Sequence, residues 1–267
     1  MNEIYLSTGA FTGRVNRRNL HLLAENFRAF DCDGFEYMVF EDSYGELDTI
    51  LPLYKGIRIP VVHSDKEIGD LLSTEGNAAF CEAEKRLLAN LLVCEEVGAA
   101  KMVLHGWGKP DSDVCPERTV ERILRLVSIA KRRGVDLLCE NCCCVHSDPL
   151  TMFGKLLSTQ SDLHFIFDTR PAQFHRQIPE TFASDIFRKH AVHMHINDFA
   201  GGYKEWSALY PIPQPGKGLI DWNLVFSSLR DMRYQGSITL EAPSMQSEGV
   251  DSATLNRSLA FIRQNLI

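Results

Sequence analysis

Residues 119–141, TVERILRLVSIAKRRGVDLLCEN, carry the pattern that decides the fold. Apolar residues from Val120 to Ala130 recur at three- and four-residue steps, which predicts a helix over 119–133 with one apolar face. Gly134 follows, at a place where helices commonly end in a left-handed residue. The apolar run Val135–Glu140 then predicts a short strand that is buried on both faces and closes on an acid. The stretch therefore predicts one helix-to-strand unit of a parallel sheet.

The same unit recurs along the chain. Short apolar runs predict eight strands, at Ile4–Ser7, Phe35–Phe40, Ile59–His63, Met102–His105, Val135–Glu140, His164–Asp168, Val192–His195 and Ile238–Glu241. Glycine precedes several of these runs, at Gly34, Gly98, Gly134 and Gly236, and each is predicted to follow a helix end in the left-handed conformation.

Amphipathic helices are predicted between the strands. The apolar stripe is clear over Arg17–Phe30 and Phe80–Val97, and weakest over Glu46–Leu53, where Pro52 interrupts it. Helix N-caps are predicted at Asp148, Asp221 and Asp251. Strands that alternate with helices and mostly end in titratable residues favour a closed barrel, because those ends would converge on one mouth. The predicted fold class is α/β, a (β/α)8 TIM barrel, as a single domain over residues 1–267.

Composition excludes several classes of protein. The 267 residues are 45% hydrophobic and 24% charged, as in ordinary soluble enzymes, and no apolar run is long enough to span a membrane. The first residues do not resemble a signal peptide, and eight cysteines in such a chain indicate reducing cytoplasm rather than a disulfide framework. The formal charge of −7 argues against a nucleic-acid partner.

Titratable residues close most of the predicted strands, at His63, His105, Glu140, Asp168, His195 and Glu241. A carboxylate at the end of a buried run is costly unless it is paired or bound to a cation, and three carboxylates at one mouth would repel each other. Three carboxylates and one imidazole predict a site for one divalent metal, Mn²⁺, Mg²⁺, Co²⁺ or Zn²⁺, formed by Glu140, Asp168, His195 and Glu241. His193 shares a strand face with His195 and is expected one layer deeper.

Further residues near the predicted mouth are assigned to substrate contacts: Glu36, His63, His105, Trp107, His146, Asp198 and Lys217. Trp107 is interpreted as a pocket wall or as ordinary loop packing. Lys217 is interpreted as an anion contact or as a solvated side chain, and the long loop 199–218 as a lid. Cys139 is expected to face the helices. Cys142, Cys143 and Cys144 are interpreted as packing or incidental thiols, of which one could be reactive.

In this order the motifs resemble the xylose isomerase-like TIM barrels, which group sugar isomerases and epimerases with AP endonuclease family 2. The resemblance spans essentially the whole chain and rests on DGFE 33–36, VH 62–63, LH 104–105, CEN 139–141, FDT 167–169, HMHIND 193–198, PGKG 215–218, DW 221–222 and TLE 239–241. It implies that Glu140, Asp168, His195 and Glu241 bind one metal. It further implies that Glu140 and Glu241 are the catalytic acid/base pair, acting on a small polyhydroxylated carbonyl compound.

Departures from the family pattern leave the reaction open. Thr169, Arg170 and Pro171 follow Asp168, where the family often has a histidine three residues on, and His146 stands where ketose epimerases often have a second acid. The additional metal ligands of the endonuclease branch are not found in the sequence. The leading prediction is a metal-dependent isomerase or epimerase that acts on a sugar, a sugar phosphate or a polyol ketone. A dehydratase, a metal-dependent hydrolase and a non-catalytic ligand-binding barrel remain alternatives, and a homo-oligomer is compatible with the sequence.

Overall fold

The structure is a computed structural model that describes residues 2–108 and 110–266. Its strands form one closed parallel barrel, in which neighbours pair in chain order and the last strand closes on the first. The strands are β1 Ile4–Ser7, β2 Gly34–Met38, β3 Val61–His63, β4 Lys101–His105, β5 Asp136–Glu140, β6 Phe165–Asp168, β7 Ala191–Ile196 and β8 Ser237–Leu240. The predicted fold and all eight predicted strands are confirmed, with small shifts at the strand ends.

Helices connect the strands on the outside of the barrel. In the described residues they are α1 His21–Asn26, α2 Leu47–Ile50, α3 Glu67–Ser73, α4 Asn77–Val97, α5 Pro116–Arg132, α6 Pro149–Thr159, α7 Thr169–Phe174, α8 Ile178–Ala183, α9 Asp185–His190, α10 Trp222–Asp231 and α11 Ser252–Leu266. No helix within this part of the chain is long and apolar enough to cross a membrane.

Two predicted helices are shorter than their apolar stripes. The stripe over 17–30 contains α1 and a following 3-10 turn, Phe27–Ala29, and the stripe over 46–53 contains α2 and a 3-10 turn around Pro52. The predicted N-caps are confirmed, because Asp148, Asp221 and Asp251 each accept a hydrogen bond from the backbone N–H three residues later.

The glycines before the strands have two different roles. Gly98 and Gly134 adopt the predicted left-handed conformation, with φ angles of 75° and 74°. The prediction is wrong for Gly34 and Gly236, which are not left-handed. Arg233, with a φ of 51°, is the left-handed residue after α10. A Cβ at Gly236 would lie 2.7 Å from the carbonyl oxygen of Val192, so close packing explains that glycine.

A layer of apolar side chains fills the barrel just below its mouth. Its members are Tyr5, Val61, Val103, Leu138 and Ile166. Side chains two positions apart on a strand point to the same face, so residues 63, 105, 140 and 168 also face the interior, one layer nearer the mouth. Cys139 points the other way, into the core between strands and helices, as predicted.

Helix α3 packs directly on the strand end that carries His105. A Cβ at Gly69 would lie 2.0 Å from the carbonyl oxygen of His105. We expect Gly69→Ala to lower the free energy of unfolding by about 1–3 kcal/mol in urea denaturation, because α3 must move away from β4. Gly154→Ala is the matched control, since Gly154 in α6 has open space around its Cβ position and alanine there should stabilise. Equal stability of Gly69→Ala and the unchanged protein would contradict the close packing of α3.

Candidate metal centre

Four titratable side chains from four strands meet at the carboxyl-end mouth of the barrel. One atom each of Glu140, Asp168, His195 and Glu241 lies within 4.8 Å of the others, and all four residues are buried. Glu140 and Asp168 end β5 and β6, His195 lies near the end of β7, and Glu241 directly follows β8. These are the predicted ligands, and the structure brings them together. Metal binding by them stays a prediction.

Negative charge is crowded in this cluster. Burial, together with the charges of Glu140 and Glu241, raises the pKa of Asp168 to about 7. Burial also opposes ionisation of Glu140, but the neighbouring His105 and His195 bring its pKa well below the usual value. Burial would lower the pKa of His195, yet Glu36, Glu241 and Glu140 raise it well above its usual value. Where like charges are crowded, the pKa of one carboxyl rises towards neutral pH while the neighbouring carboxyls stay ionised.

Two oxygens of the cluster are buried without a hydrogen-bond donor, Glu140 Oε2 and Glu241 Oε1. His105 Nε2 lies 2.8 Å from Glu140 Oε2, but the two groups do not have hydrogen-bond geometry. Buried acceptors without donors are costly, and a cation between the carboxylates would satisfy them. Three carboxylates and one imidazole suit a divalent metal that prefers oxygen ligands. The residues present therefore fit the predicted metal.

Two further histidines lie beside these carboxylates, as predicted. His63 Nε2 is 3.6 Å from Glu140 Oε2 and 3.9 Å from Glu241 Oε1. His63 Nδ1 lies 2.8 Å from the Ser64 carbonyl oxygen, which fits an N–H donor at that position. Burial lowers the pKa of His105 to about 4, so this imidazole is neutral at pH 7.

Glu36 lies one layer beneath the cluster, and the substrate contact predicted for it is wrong. The residue is completely buried. Its carboxylate accepts hydrogen bonds from Nε2 of His193, Nε2 of His195 and Oγ1 of Thr239, each at 2.9 Å. His193 lies in this deeper layer, as predicted. With Nε2 of His195 held by Glu36, its Nδ1 faces Glu140 Oε1 at 3.3 Å.

Asp198 anchors the loop after β7 instead of facing substrate. Its carboxylate accepts backbone hydrogen bonds from Phe199, Gly216 and Gly218, and one from Trp222 Nε1 at 2.9 Å. Because these donors use both oxygens of a fully buried carboxylate, the predicted substrate contact of Asp198 is wrong. The bonds tie both ends of the 199–218 segment to the barrel, and lid motion of its middle part stays a prediction.

Three other residues are predicted to contact substrate: Trp107, His146 and Lys217. The structure places them less favourably for contact with a ligand in the mouth cavity. Trp107 borders the mouth cavity, but it is only 1% exposed, and its Nε1 donates to the Cys142 carbonyl oxygen at 2.9 Å. Loop packing is therefore its main role. His146 and Lys217 are exposed and are not among the described residues that line the cavity, so the structure does not bring them to the site.

The three consecutive cysteines are buried, and Cys142 and Cys143 border the mouth cavity. Burial raises the thiol pKa of each, that of Cys143 to about 12. Thiols with raised pKa values are poor nucleophiles, which favours the packing interpretation over a reactive thiol.

Sequence reasoning missed three residues at this site. Asn197 Nδ2 donates to Asp168 Oδ2 and Glu241 Oε2, both at 3.0 Å, and so ties two predicted ligands together. Lys66 and Arg170 line the mouth cavity together with Glu140. Each of the three lies within three residues of a strand end, which is the signal that could have found them.

The mouth cavity has a volume of about 220 Å³ and is bordered by His105, Glu140 and Tyr210, among others. A larger cavity of about 960 Å³ lies near Lys101 and Tyr234, and none of the four predicted ligands lines it. The smaller cavity is the candidate substrate site because Glu140 lines it.

Glu36→Gln is expected to lower Mn²⁺ affinity by about 10- to 100-fold, measured by isothermal titration calorimetry. Carboxylates that orient a metal-bound imidazole commonly have effects of this size. Thr239→Val removes only one hydrogen bond to Glu36 and should have a smaller effect. Unchanged Mn²⁺ affinity in Glu36→Gln would show that His195 does not depend on this contact.

The model of the xylose isomerase-like TIM barrel family matches residues 30–265. The chain belongs to this family. A comparison with curated proteins finds no match.

Several solved structures share the fold. The apo form of the 3-keto-D-glucoside 4-epimerase YcjR from E. coli is 19% identical, with a TM-score of 0.71 over 99% of this chain and 100% of that one. L-ribulose 3-epimerase is 16% identical, with a TM-score of 0.71 over 100% and 95% of the two chains. An IolI protein with a bound zinc atom is 13% identical, with a TM-score of 0.72 over 99% and 98%. At such identities the likeness shows the fold alone.

Proposed function

We propose that the protein is a divalent-metal-dependent isomerase or epimerase that acts on a small polyhydroxylated carbonyl compound. The observation that carries the proposal is the meeting of Glu140, Asp168, His195 and Glu241 within 4.8 Å at the barrel mouth. The sugar epimerases among the similar structures support this class of substrate.

The residues of the cluster are arranged in a way that suits a metal-assisted proton transfer. A divalent cation bound there would supply Lewis-acid polarisation of the substrate carbonyl, which acidifies the neighbouring C–H bond. His195 is oriented by Glu36, and Asn197 holds Asp168 and Glu241 in fixed relative positions. The carbonyl end of the substrate would therefore meet a preorganised group of residues.

Glu140 and Glu241 are the proposed acid/base pair. Burial opposes ionisation of Glu241, but His195 and Lys66 bring its pKa below the usual value, and the pKa of Glu140 is also lowered. Both carboxylates are therefore ionised at neutral pH, and each has one oxygen without a hydrogen-bond donor. One glutamate would remove the proton next to the carbonyl. For isomerisation the same glutamate would return that proton to the adjacent carbon, while the hydroxyl proton moves to the former carbonyl oxygen. For epimerisation the other glutamate, after taking a proton from water, would deliver it to the opposite face, and the first would release its proton to water.

Proton exchange in D₂O tests this proposal. The Mn²⁺-loaded protein is incubated with a panel of ketoses and aldoses, and NMR follows deuterium at the carbons beside the carbonyl. We expect deuterium incorporation together with a new sugar isomer. Loss of water from the substrate would indicate a dehydratase instead, and Mn²⁺ binding without exchange of any sugar would favour the non-catalytic barrel.

A further inference from the structure

Two cationic side chains border the mouth cavity beside the carboxylates. Lys66 lies between β3 and α3, and Arg170 is the second residue of α7. Both line the cavity that also contains Glu140 and His105. We propose that the substrate is an anionic monosaccharide whose carboxylate or phosphate group is bound by Arg170 and Lys66. This inference rests on the proposed function and narrows its substrate class.

Arg170 is held in place by a backbone carbonyl and an aromatic ring. Its Nη1 donates to the carbonyl oxygen of Leu209 at 3.2 Å, and its guanidinium carbon lies 5.8 Å from the centroid of the Tyr210 ring. Its Nε is buried and has no hydrogen-bond partner. Burial would lower the pKa of the guanidinium, but Asp168, Tyr210 and Glu241 raise it. A buried N–H without an acceptor is costly, and an oxygen of a bound ligand would satisfy it. The planar guanidinium is suited to bind a carboxylate or phosphate through two hydrogen bonds.

Balancing the acidic cluster is the simplest alternative role for these two cations. It fits Lys66 in part, because its Nζ lies 3.9 Å from Glu241 Oε1, although the side chain is 46% exposed. It also fits Arg170 in part, because the charges of Asp168 and Glu241 act on the guanidinium, but this side chain turns to Leu209 and Tyr210 and its Nε has no partner.

Metal binding would strengthen the case for an anionic ligand. A divalent cation among Glu140, Asp168 and Glu241 would neutralise most of their charge. The positive charges of Lys66 and Arg170 would then face a cavity whose remaining acidic lining residue is Asp70. A substrate anion supplies negative charge to balance them, and it takes the role that the sequence suggested for Lys217, which is exposed and outside the cavity.

The size of the cavity sets the size of the ligand. Its volume of about 220 Å³ corresponds to roughly seven water molecules at about 30 Å³ each. One sugar unit with a terminal anion fits this space, with its carbonyl end at the carboxylate cluster and its other end at Arg170.

The test is calorimetric titration of the Mn²⁺-loaded protein with matched ligands. D-Fructose, D-fructuronate and D-fructose 6-phosphate differ only at the sixth carbon, and the corresponding sets of D-tagatose and D-allulose vary the stereochemistry. In at least one set we expect an anionic member to bind about tenfold or more tightly than its neutral sugar. The carboxylate and phosphate members tell the two kinds of anion apart.

Arg170→Gln and Lys66→Gln should each reduce the preference for the anion, measured as the ratio of its affinity to that of the neutral sugar. Arg176→Gln is the control, because Arg176 is exposed and does not line the cavity. Thermal unfolding checks that each variant folds.

The inference is overturned if no anionic member binds more tightly than its neutral sugar, or if the preference survives both Arg170→Gln and Lys66→Gln. Preferential binding of an anion without deuterium exchange would keep this inference and remove the proposed reaction, whereas exchange of a neutral sugar without any anion preference would do the reverse.

Discussion

Glu140→Gln and Glu241→Gln are each expected to lower kcat/KM by at least about 10³-fold while the fold persists. A positioned acid or base commonly contributes factors of 10² to 10⁴, and each glutamate is also a predicted metal ligand. Glutamine keeps the shape of the side chain and can still offer an oxygen to the cation, but it cannot accept a proton from carbon. The effect should therefore fall mainly on kcat.

Steady-state kinetics are measured with a sugar that the unchanged protein converts, and Mn²⁺ is titrated into each variant. Together the two measurements distinguish loss of proton transfer from loss of the metal. The control is Glu248→Gln, an exposed glutamate in the segment that follows β8. Circular dichroism and thermal unfolding show whether the barrel is intact. If either active-site variant turns over at the rate of the unchanged protein, the proposed acid/base pair is wrong.

Mn²⁺ affinity is expected to fall steeply as the pH drops below 7. Burial and the charges of Glu140 and Glu241 raise the pKa of Asp168 in the metal-free protein from 3.8 to about 7. A proton on this carboxyl competes with the metal, so the affinity should fall by about tenfold per pH unit for each proton displaced. Asp168→Asn should bind Mn²⁺ much more weakly and with a shallower pH dependence.

The same shift predicts how stability depends on pH. The pKa of Asp168 is higher in the folded protein than in the unfolded chain, so its contribution to stability is present below pH 3.8 and is lost as the pH rises to about 7. The difference in Tm between Mn²⁺-loaded and metal-free protein should therefore widen over this range, and EDTA should abolish turnover. Mn²⁺ affinity that is independent of pH between 5 and 7 would contradict the crowded carboxylate cluster.

The fold could be predicted from the sequence because the residue patterns of its strands and helices are local. Strands buried on both faces are continuous apolar runs, such as Leu137–Cys139, and the helices between them carry a single apolar stripe. The predicted metal ligands were found for a related reason. A carboxylate that directly closes a buried run, as Glu140 and Asp168 do, has few explanations besides a shared cation or an N-cap.

Glu36 could not be placed from the sequence, because its depth depends on the pairing between strands. In the barrel it pairs with Val61, which belongs to the apolar layer one step below His63. A shift of the register by two residues would place the same carboxylate at the mouth. A single sequence does not show this register. The sequence therefore predicts a substrate contact for Glu36 instead of its hydrogen bond to His195.

Loop residues were the other weak point, since no periodicity fixes the direction of a side chain after a strand ends. Lys217 and Arg170 are both cations in loops or at loop ends, yet only Arg170 faces the cavity. Asp198 has the composition of a site residue but serves as the acceptor that ties the loop after β7 together. Only the three-dimensional path of each loop distinguishes these cases.

Anomalous diffraction from a crystal grown with Mn²⁺ tests the central claim most directly. The account predicts one strong peak at the barrel mouth, within coordinating distance of one atom each of Glu140, Asp168, His195 and Glu241. A crystal with no peak among these four residues, or with their side chains turned apart around a Mn²⁺ ion bound elsewhere, would contradict it.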